Sequence, residues 1–469
     1  MTAQTILPAN TLSGGYDVAN SCRFETNTSM TKTASSGNQR TFTISFWVKR
    51  TDLATGANQF PISFYQDANN RVSFAFLTNN TFVIYAEDGG SGRLTMTTSR
   101  IFRDVSAWYH IVVAFDTTQG TESNRLKSYV NGVQQTSFAD ITYPTQNRDL
   151  IVNTNIWIGT YENSVNWLHG YLAEFVYIDG LQLDASSFGE FDSDSPTIWK
   201  PKDVSGLTFG TNGFYLDFQD SGNLGNDANG GTDLSESNLA ATDQHTDTCT
   251  NNFATMNYLD NYQNPATFSE GNLKITTANS GGYAPTVSNF GVSSGKWYVE
   301  VKYVSRSHSD NYSMIGVRST QTINGNYLGQ NTNDYAYYSG NGKTYSGGSA
   351  SNYGNSYDQG ETVGIYLDLD NNKLYFSKDG TLQNSGTGVS ITAPGSTSLE
   401  NYFFSAMDYG NSVSNVYEWN FGGGSVSAIS SGNADDNGYG NFEYSPNITG
   451  DGAAKSFYAL NSKNLAEFG

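Results

Sequence analysis

The feature that most constrains this chain is its hydrophobic rhythm: short runs in which every second side chain is apolar, each stopped by a turn. In Thr41-Phe-Thr-Ile-Ser-Phe-Trp-Val-Lys49, residues Phe42, Ile44, Phe46 and Val48 share one face, with Thr43, Ser45 and Lys49 on the other. A strand sends successive side chains to opposite faces, so this spacing predicts a strand with one face in a core. Val72, Phe74 and Phe76 repeat it. Trp108-Tyr-His-Ile-Val-Val-Ala-Phe115 is apolar on both faces, as a strand covered on both sides should be. Leu126-Lys-Ser-Tyr-Val130, Asn131-Gly132 and Val133 read as a hairpin, because Asn-Gly tolerates the positive φ values of a tight turn. Ile156-Trp-Ile158 and Tyr171–Ile178 follow, the latter closed by Asp179-Gly180.

A second block has the same rhythm. In Trp297-Tyr-Val-Glu-Val-Lys-Tyr303, Trp297, Val299, Val301 and Tyr303 should face inward, with Glu300 and Lys302 outward. Met314-Ile-Gly-Val317 is a short buried strand. Thr362–Asp370, a turn at Asn371-Asn372, and Lys373-Leu-Tyr-Phe-Ser377 form a meander that Tyr402–Met407 and Val416–Phe421 complete. Nothing sustains the 3.6-residue period of a long amphipathic helix. The expected fold class is therefore all-β: two antiparallel β-sandwich domains joined by an irregular connector. The expected divisions are an N-terminal arm at 1–19, a first sandwich at 20–185 and an extended connector at 186–265. A second sandwich follows at 266–424, then a C-terminal tail at 425–469. Residues 325–360 hold Gly, Asn, Ser and Tyr with few aliphatics, and read as a long loop region of the kind that carries function.

Charge narrows the function. Lys and Arg number 24 against 44 Asp and Glu, a net charge of −20, although only 14% of residues are charged. A sequence-independent nucleic-acid binder needs cations to release phosphate counterions, so nucleic acid is excluded as a partner. Docking on an anionic membrane is disfavoured for the same reason. No apolar run approaches the ~18 residues of a spanning helix, so membrane insertion is not expected. The opening MTAQTILPANTLSGG lacks the cationic start and apolar core of a secretory signal, and a chain made and folded in a cytoplasm is expected. Cys22 and Cys249 read as two separate thiols, and with the four histidines they share no metal-ligand spacing.

The first block resembles the laminin-G-like, concanavalin-type jelly rolls. The resemblance rests on Phe42–Val48, Trp108-Tyr-His-Ile-Val-Val-Ala-Phe-Asp116, Tyr129-Val-Asn-Gly132 and Ile156-Trp-Ile-Gly159 followed by Gly170-Tyr-Leu-Ala-Glu-Phe175. The second block resembles a SPRY domain through Gly295-Lys-Trp-Tyr-Val-Glu-Val301, Ile315-Gly-Val317, Gly360-Glu-Thr-Val-Gly-Ile365 and Leu374-Tyr-Phe-Ser-Lys-Asp-Gly380. The connector, with Leu216-Asp-Phe218, Ala241-Thr-Asp243 and Asn251-Asn-Phe-Ala-Thr-Met-Asn257, is similar to segments of tailed-bacteriophage structural proteins. So is Phe457–Leu465. These likenesses imply a non-enzymatic virion protein, a tail-fibre or host-adhesion component binding surface glycan. It would be assembled in the host cytoplasm and displayed on the virion surface, contacting other virion proteins as a homo-oligomer, with a trimer favoured. A capsid decoration or head-fibre protein and a polysaccharide depolymerase are the alternatives.

Concanavalin-type folds also host glycosidases, which place two carboxylates about 5–5.5 Å apart in retaining enzymes. Glu190-Phe-Asp192 begins a Glu-x-Asp-x-x-Glu pattern, but Ser195 stands at the closing position. Gly340-Asn-Gly-Lys-Thr344 mimics the end of a phosphate loop, yet Tyr337 replaces its first glycine. Asp368, Asp370, Asn372 and Asp379 echo an EF-hand, yet Lys373 occupies the required glycine position. No cofactor is required. Ca²⁺ is the ion the laminin-G-like resemblance admits, with Asp67 and Asn69 in the turn after Tyr65 as candidate ligands. The broadest signal is aromatic, with 31 Tyr and 7 Trp in the chain. Tyr327, Tyr335, Tyr337, Tyr338, Tyr345, Tyr353 and Tyr357 are the candidate glycan- or partner-binding residues. Aromatic faces stack on sugars, and the same composition serves adaptable protein-binding loops, so both readings stay open.

Overall fold

The computed structural model describes residues 15–53, 56–162, 165–261, 264–278, 282–320, 325–408 and 414–469. The chain divides into two compact units, one ending at Thr250 and the other running from Asn251 to Gly469. Of the expected N-terminal arm, positions 1–14 lie outside the described residues.

The first unit is a sandwich of two antiparallel sheets. One has the order Val133–Gln134, Leu126–Val130, Trp108–Asp116, Thr41–Arg50, Gly170–Asp179, Ser21–Phe24, Gln244–His245, with Phe214–Leu216 also paired to Gly170–Asp179. The other runs Phe138–Thr142, Ser91–Ile101, Thr81–Asp88, Asn70–Phe76, Gln59–Asp67, Asn155–Ile158, Ser29–Thr33, Ser235–Ser237. Phe42, Ile44, Phe46 and Val48 from the first sheet meet Phe64, Val72, Phe74 and Phe76 from the second in one apolar core, as the alternation predicts. The hairpin at Asn131-Gly132 also forms, both residues having positive φ.

The strand Gly170–Asp179 departs from simple alternation. Glu174 takes φ 48°, and the register against Thr41–Arg50 shifts between Ala173 and Val176. An extra residue reverses which face each later side chain occupies. Leu172 points into the core before the bulge, and Phe175 and Tyr177 do so after it. Tyr171, Ala173, Val176 and Ile178 lie on the outer face.

That outer face is not open. Ala185, Phe188, Val204, Phe209 and Tyr215 cover Val112, Tyr129, Val176 and Ile178. Tyr16, Val18, Trp199 and Cys249 pack on Trp47, Trp108 and Tyr171. Residues 186–250 are therefore not an extended connector but the outer layer of the first unit, and Phe214, Leu216, Phe218, Leu224 and Leu234 reach its core. Hidden apolar positions inside a turn-rich stretch produce this: Phe214–Leu216, Ser235–Ser237 and Gln244–His245 take partners from the two sheets, while Gly189–Phe191 and Trp199–Pro201 pair with each other. Cys22 lies in the inner core and Cys249 in the outer cluster, and both thiols are free.

The second unit repeats the plan. One sheet orders Thr267–Ser269, Lys274–Thr276, Asn415–Asn420, Lys296–Arg306, Thr362–Asp368, Lys373–Lys378, Thr381–Leu382, with Val389–Ser390 and Tyr458–Ala459 at its margins. The facing sheet orders Thr286–Val287, Phe403–Met407, Met314–Arg318, Asp334–Tyr338, Lys343–Ser346, Ser349–Asn352. Trp297, Val299, Val301 and Tyr303 turn inward as expected. Residues 251–256 belong here too, since Ala254 and Met256 are in its core. The expected C-terminal tail is likewise integral: Phe442, Phe457 and Ala459 cover Tyr298, Tyr366 and Tyr375 on the outer face. The helix Ser462–Phe468, capped by the Asn461 side chain, places Leu465 in the core. Glu300, expected to face solvent, is 3% exposed beneath this cover.

Candidate functional site

The long loop region expected at 325–360 contains three strands, and they sort the seven tyrosines. Tyrosine has high strand propensity, so a run without aliphatics still pairs. In Asp334–Tyr338, alternation sends Tyr335 and Tyr337 into the core and leaves Asp334, Ala336 and Tyr338 on the outer face. Tyr353 and Tyr357 are buried in the same core. Each of these four hydroxyls has an interior partner, as buried tyrosines require. Tyr335 accepts from the Thr392 amide at 2.9 Å and Tyr353 from the Phe376 amide at 3.0 Å. Tyr357 donates to the Tyr337 carbonyl at 2.9 Å, and Tyr337 donates to the Asn355 carbonyl. Tyr335, Tyr337, Tyr353 and Tyr357 are thus packing residues, not ligand contacts.

Tyr327, Tyr338 and Tyr345 have a different setting. They line a cavity of about 400 Å³ with Tyr283, Tyr312, Met314, Met407 and Asp408. Register builds it from the sheet: Met314 lies opposite both Tyr338 and Met407, and Ala336 opposite Tyr345. Leu328 packs over Ala336 and Met407 from the preceding loop. Tyr345 stands nearly perpendicular to both Tyr327 and Tyr338, with ring centroids 6.2 and 5.7 Å away at 87° and 89°. Tyr283 closes toward Tyr327 at 5.7 Å. Asn341 donates to the Tyr345 hydroxyl at 3.1 Å, and Tyr312 donates to Asp310 at 2.8 Å.

Asp408 is the one acidic residue bordering this cavity among the described residues. It is 1% exposed. The Thr277 hydroxyl donates to its Oδ2, while Oδ1 makes no hydrogen bond. Burial pushes its carboxyl up to about 7, against the lowering effects of the Thr277 hydroxyl and of the Asn415 and Asp408 backbone amides. Sequence reasoning missed Tyr283, Tyr312, Met314, Met407 and Asp408. The alternation in Phe403-Phe-Ser-Ala-Met407 carries a signal for Met407, since Phe404 and Ala406 claim the inner face.

The other candidates have structural duties. Asp67 accepts from the Asn69 amide at 2.8 Å and from Asn70 Nδ2 at 2.9 Å, which closes the turn they share and holds its carboxyl low. No group of three or more His, Cys, Asp or Glu suited to a metal occurs among the described residues. Asp192 accepts the Asp194 and Ser195 amides at 2.9 Å and pairs with Lys200 at 3.3 Å. Asp368 pairs with Lys455 at 3.2 Å and Asp370 with Lys296 at 2.8 Å.

Two sandwiches, each with one apolar core and covered on one outer face, define a class of double β-sandwich protein. Comparison with known proteins specifies each half. Residues 24–181 match the concanavalin A-like lectin/glucanases superfamily, and residues 296–415 match the SPRY domain. The chain therefore carries a laminin-G-like, concanavalin-type domain followed by a SPRY domain. No curated protein matches the chain. Among solved structures, the SPRY domain of human HERC1 aligns at 19% identity over 33% of this chain and 91% of its own, with a TM-score of 0.27. A SAP-like pentraxin from Limulus polyphemus aligns at 14% identity over 36% and 80%, with a TM-score of 0.27. A candidate carbohydrate-binding protein from Bacteroides ovatus aligns at 12% identity over 47% and 58%, with a TM-score of 0.33.

Proposed function

We propose that this chain is a non-enzymatic binding protein that recognises glycan through the tyrosine cavity of its second unit. The cavity carries the reading: five tyrosines and two methionines surround a space large enough for one to two sugar rings. The concanavalin-type and SPRY domains fit a carbohydrate-binding role. Aromatic faces cover the C–H surface of a sugar, and Asn341 and Asp310 stand at hydroxyls of the lining tyrosines, able to exchange those bonds for ligand hydroxyls. The virion setting belongs to the same proposal and rests on the phage-like segments: a tail-fibre or adhesion component on the particle surface, assembled in the host cytoplasm. Ca²⁺ is no part of the proposed site.

A glycan array probed with the full chain tests this. Selective binding that falls at least tenfold in Tyr345→Ala and Tyr327→Ala is the expected result. No selectivity, or selectivity indifferent to both substitutions, refutes it. Reducing ends released from a bound polysaccharide would identify a depolymerase instead. A second reading, subunit contact in a homo-oligomer, is favoured by the strand Ser349–Asn352, which is exposed at every position on a sheet edge. Unpaired edges are templates for another chain. Light scattering of the full chain gives its state, a trimer on this proposal.

A further inference from the structure

The tyrosine cavity keeps its apolar wall and its polar partners apart. Except for Asp408, which is buried against Thr277, every lining residue is a tyrosine or a methionine. Tyr327, Tyr338, Tyr345 and Met314 are half-buried, and Met407 lies beside Met314 on the next strand, 1% exposed. The Met407 sulfur takes the Leu328 amide at 2.6 Å, so its one acceptor is used within the wall. The polar groups stand at the margin. Asn341 and Asp310 bond the Tyr345 and Tyr312 hydroxyls, and both are exposed. A ligand that suits this arrangement presents an apolar group inward and hydroxyls outward.

The ring geometry sets the shape of that apolar group. Tyr345 stands at 87° to Tyr327 and 89° to Tyr338, and Tyr283 meets Tyr327 at 60°. Rings crossed in this way share no plane. They make a corner, where the face of one ring meets the edge of the next, and Met314 and Met407 add polarisable surface to it. A corner suits a compact group. A methyl fills it and needs no hydrogen bond. A sugar hydroxyl seated there would give up its water and find no partner among ring faces and methionine side chains. The space of about 400 Å³ leaves room for the sugar ring that carries the methyl.

We propose that the cavity selects sugars that end in a methyl group. The methyl sits in the corner made by Tyr327, Tyr338, Tyr345 and Met314, and the sugar hydroxyls turn to the margin at Asn341 and Asp310. The inference rests on the reading of this cavity as the ligand site. Two kinds of sugar supply such a methyl: a 6-deoxyhexose through its sixth carbon, and an N-acetylated amino sugar through its acetyl end. Binding is non-covalent and no bond is made or broken.

Sugars matched except at the methyl test the proposal on the full chain. L-fucose and L-galactose differ by one hydroxyl on the sixth carbon, and N-acetylglucosamine and N-formylglucosamine differ by one methyl. In isothermal titration, the methyl-bearing member of at least one pair should bind roughly four- to tenfold tighter than its counterpart, and that pair identifies the source. Saturation-transfer NMR should place the strongest protein contact on the same methyl. Tyr345→Ala should weaken binding. Met314→Ser, a change on the half-buried sheet surface, should lower the methyl preference to about twofold or less. Denaturation midpoints establish that both variants fold. Equal affinity within both pairs, no binding of any of these sugars, strongest contact on ring protons, or a preference untouched by both substitutions overturns the proposal. Selective array binding to glycans without a terminal methyl would overturn it while leaving the glycan reading intact. An array without selectivity, from a protein whose cavity takes up an aliphatic alcohol instead, would remove the glycan reading as well.

Discussion

The two sandwiches solve the same problem with different chemistry. Each leaves one sheet with an apolar outer face, and each covers it with the chain that follows, residues 186–250 in the first unit and the C-terminal segment in the second. In the first unit the cover is fixed by charge. Lys49 and Asp247 pair at 2.8 Å with side chains 0% and 3% exposed, and Trp108 Nε1 donates to Asp247 at 3.2 Å. In the second it is fixed by a carboxyl that pairs with no cation among the described residues. Glu300 accepts from the Tyr298 hydroxyl at 2.9 Å and from the Glu443 and Tyr444 amides at 3.0 and 2.7 Å. The outer faces of the opposite sheets differ as well. Tyr85 and Tyr161 of the first unit hold Arg71, whereas the tyrosines of the second surround a cavity.

The contrast can be broken first at its buried groups. Asp247→Ala leaves Lys49 charged and buried, and should destabilise the first unit by about 3–5 kcal/mol. Glu300→Gln, in the corresponding place, keeps an acceptor for the Tyr298 and Tyr444 bonds but not for those from the Glu443 amide and Asn420; it strands no charge and should cost less. Chemical denaturation of the full chain measures both, and equal losses would remove the distinction between the covers. Tyr337→Ala, in the second core, should cost about 3–5 kcal/mol. Tyr345→Ala should cost much less while abolishing selective glycan binding, and the same denaturation series paired with the array separates the two tyrosines.

Titration sharpens the comparison. Burial pushes Glu300 and Asp408 up to about 7. A carboxyl raised in the folded state contributes stability that is full below its unfolded pKa, near 4, and lost as pH rises through 7. The second unit should therefore melt at lower temperature at pH 8 than at pH 5. In the first unit burial holds His110 down at about 3 and His245 well below its ordinary value. A histidine lowered in the folded state contributes stability present above 6.5 and lost as pH falls below it. Glu174, raised to about 8 by burial, removes stability on the alkaline side. The first unit should thus be most stable between these limits. Calorimetry of the full chain from pH 5 to 8 tests this, with Glu300→Gln and Asp408→Asn flattening the transition of the second unit. A second-unit transition that rises with pH would contradict it.

The sandwich cores were legible because Phe42 through Val48 and Trp297 through Tyr303 alternate without interruption. Two kinds of information were not. The bulge at Glu174 depends on one residue adopting positive φ, which no apolar pattern announces. The tyrosines at 325–360 have the right period, but tyrosine suits a core, a sheet surface and a binding loop alike. Only the register against Met314–Arg318 shows that Tyr337 is inside and Tyr338 outside. Asp408 gave no sequence signal at all, because its burial and its bond to Thr277 come from the fold.

The account's central claim is that ligand enters the second unit's tyrosine cavity, and fluorine NMR of fluorotyrosine-labelled full chain tests it most directly. Single Tyr→Phe substitutions assign the signals, and a glycan selected on the array is titrated in. The account predicts saturable shifts at Tyr327, Tyr338 and Tyr345, with Tyr335, Tyr337, Tyr353 and Tyr357 unmoved. Shifts confined to the four core tyrosines, or to Tyr85 and Tyr161 of the first unit, would contradict it.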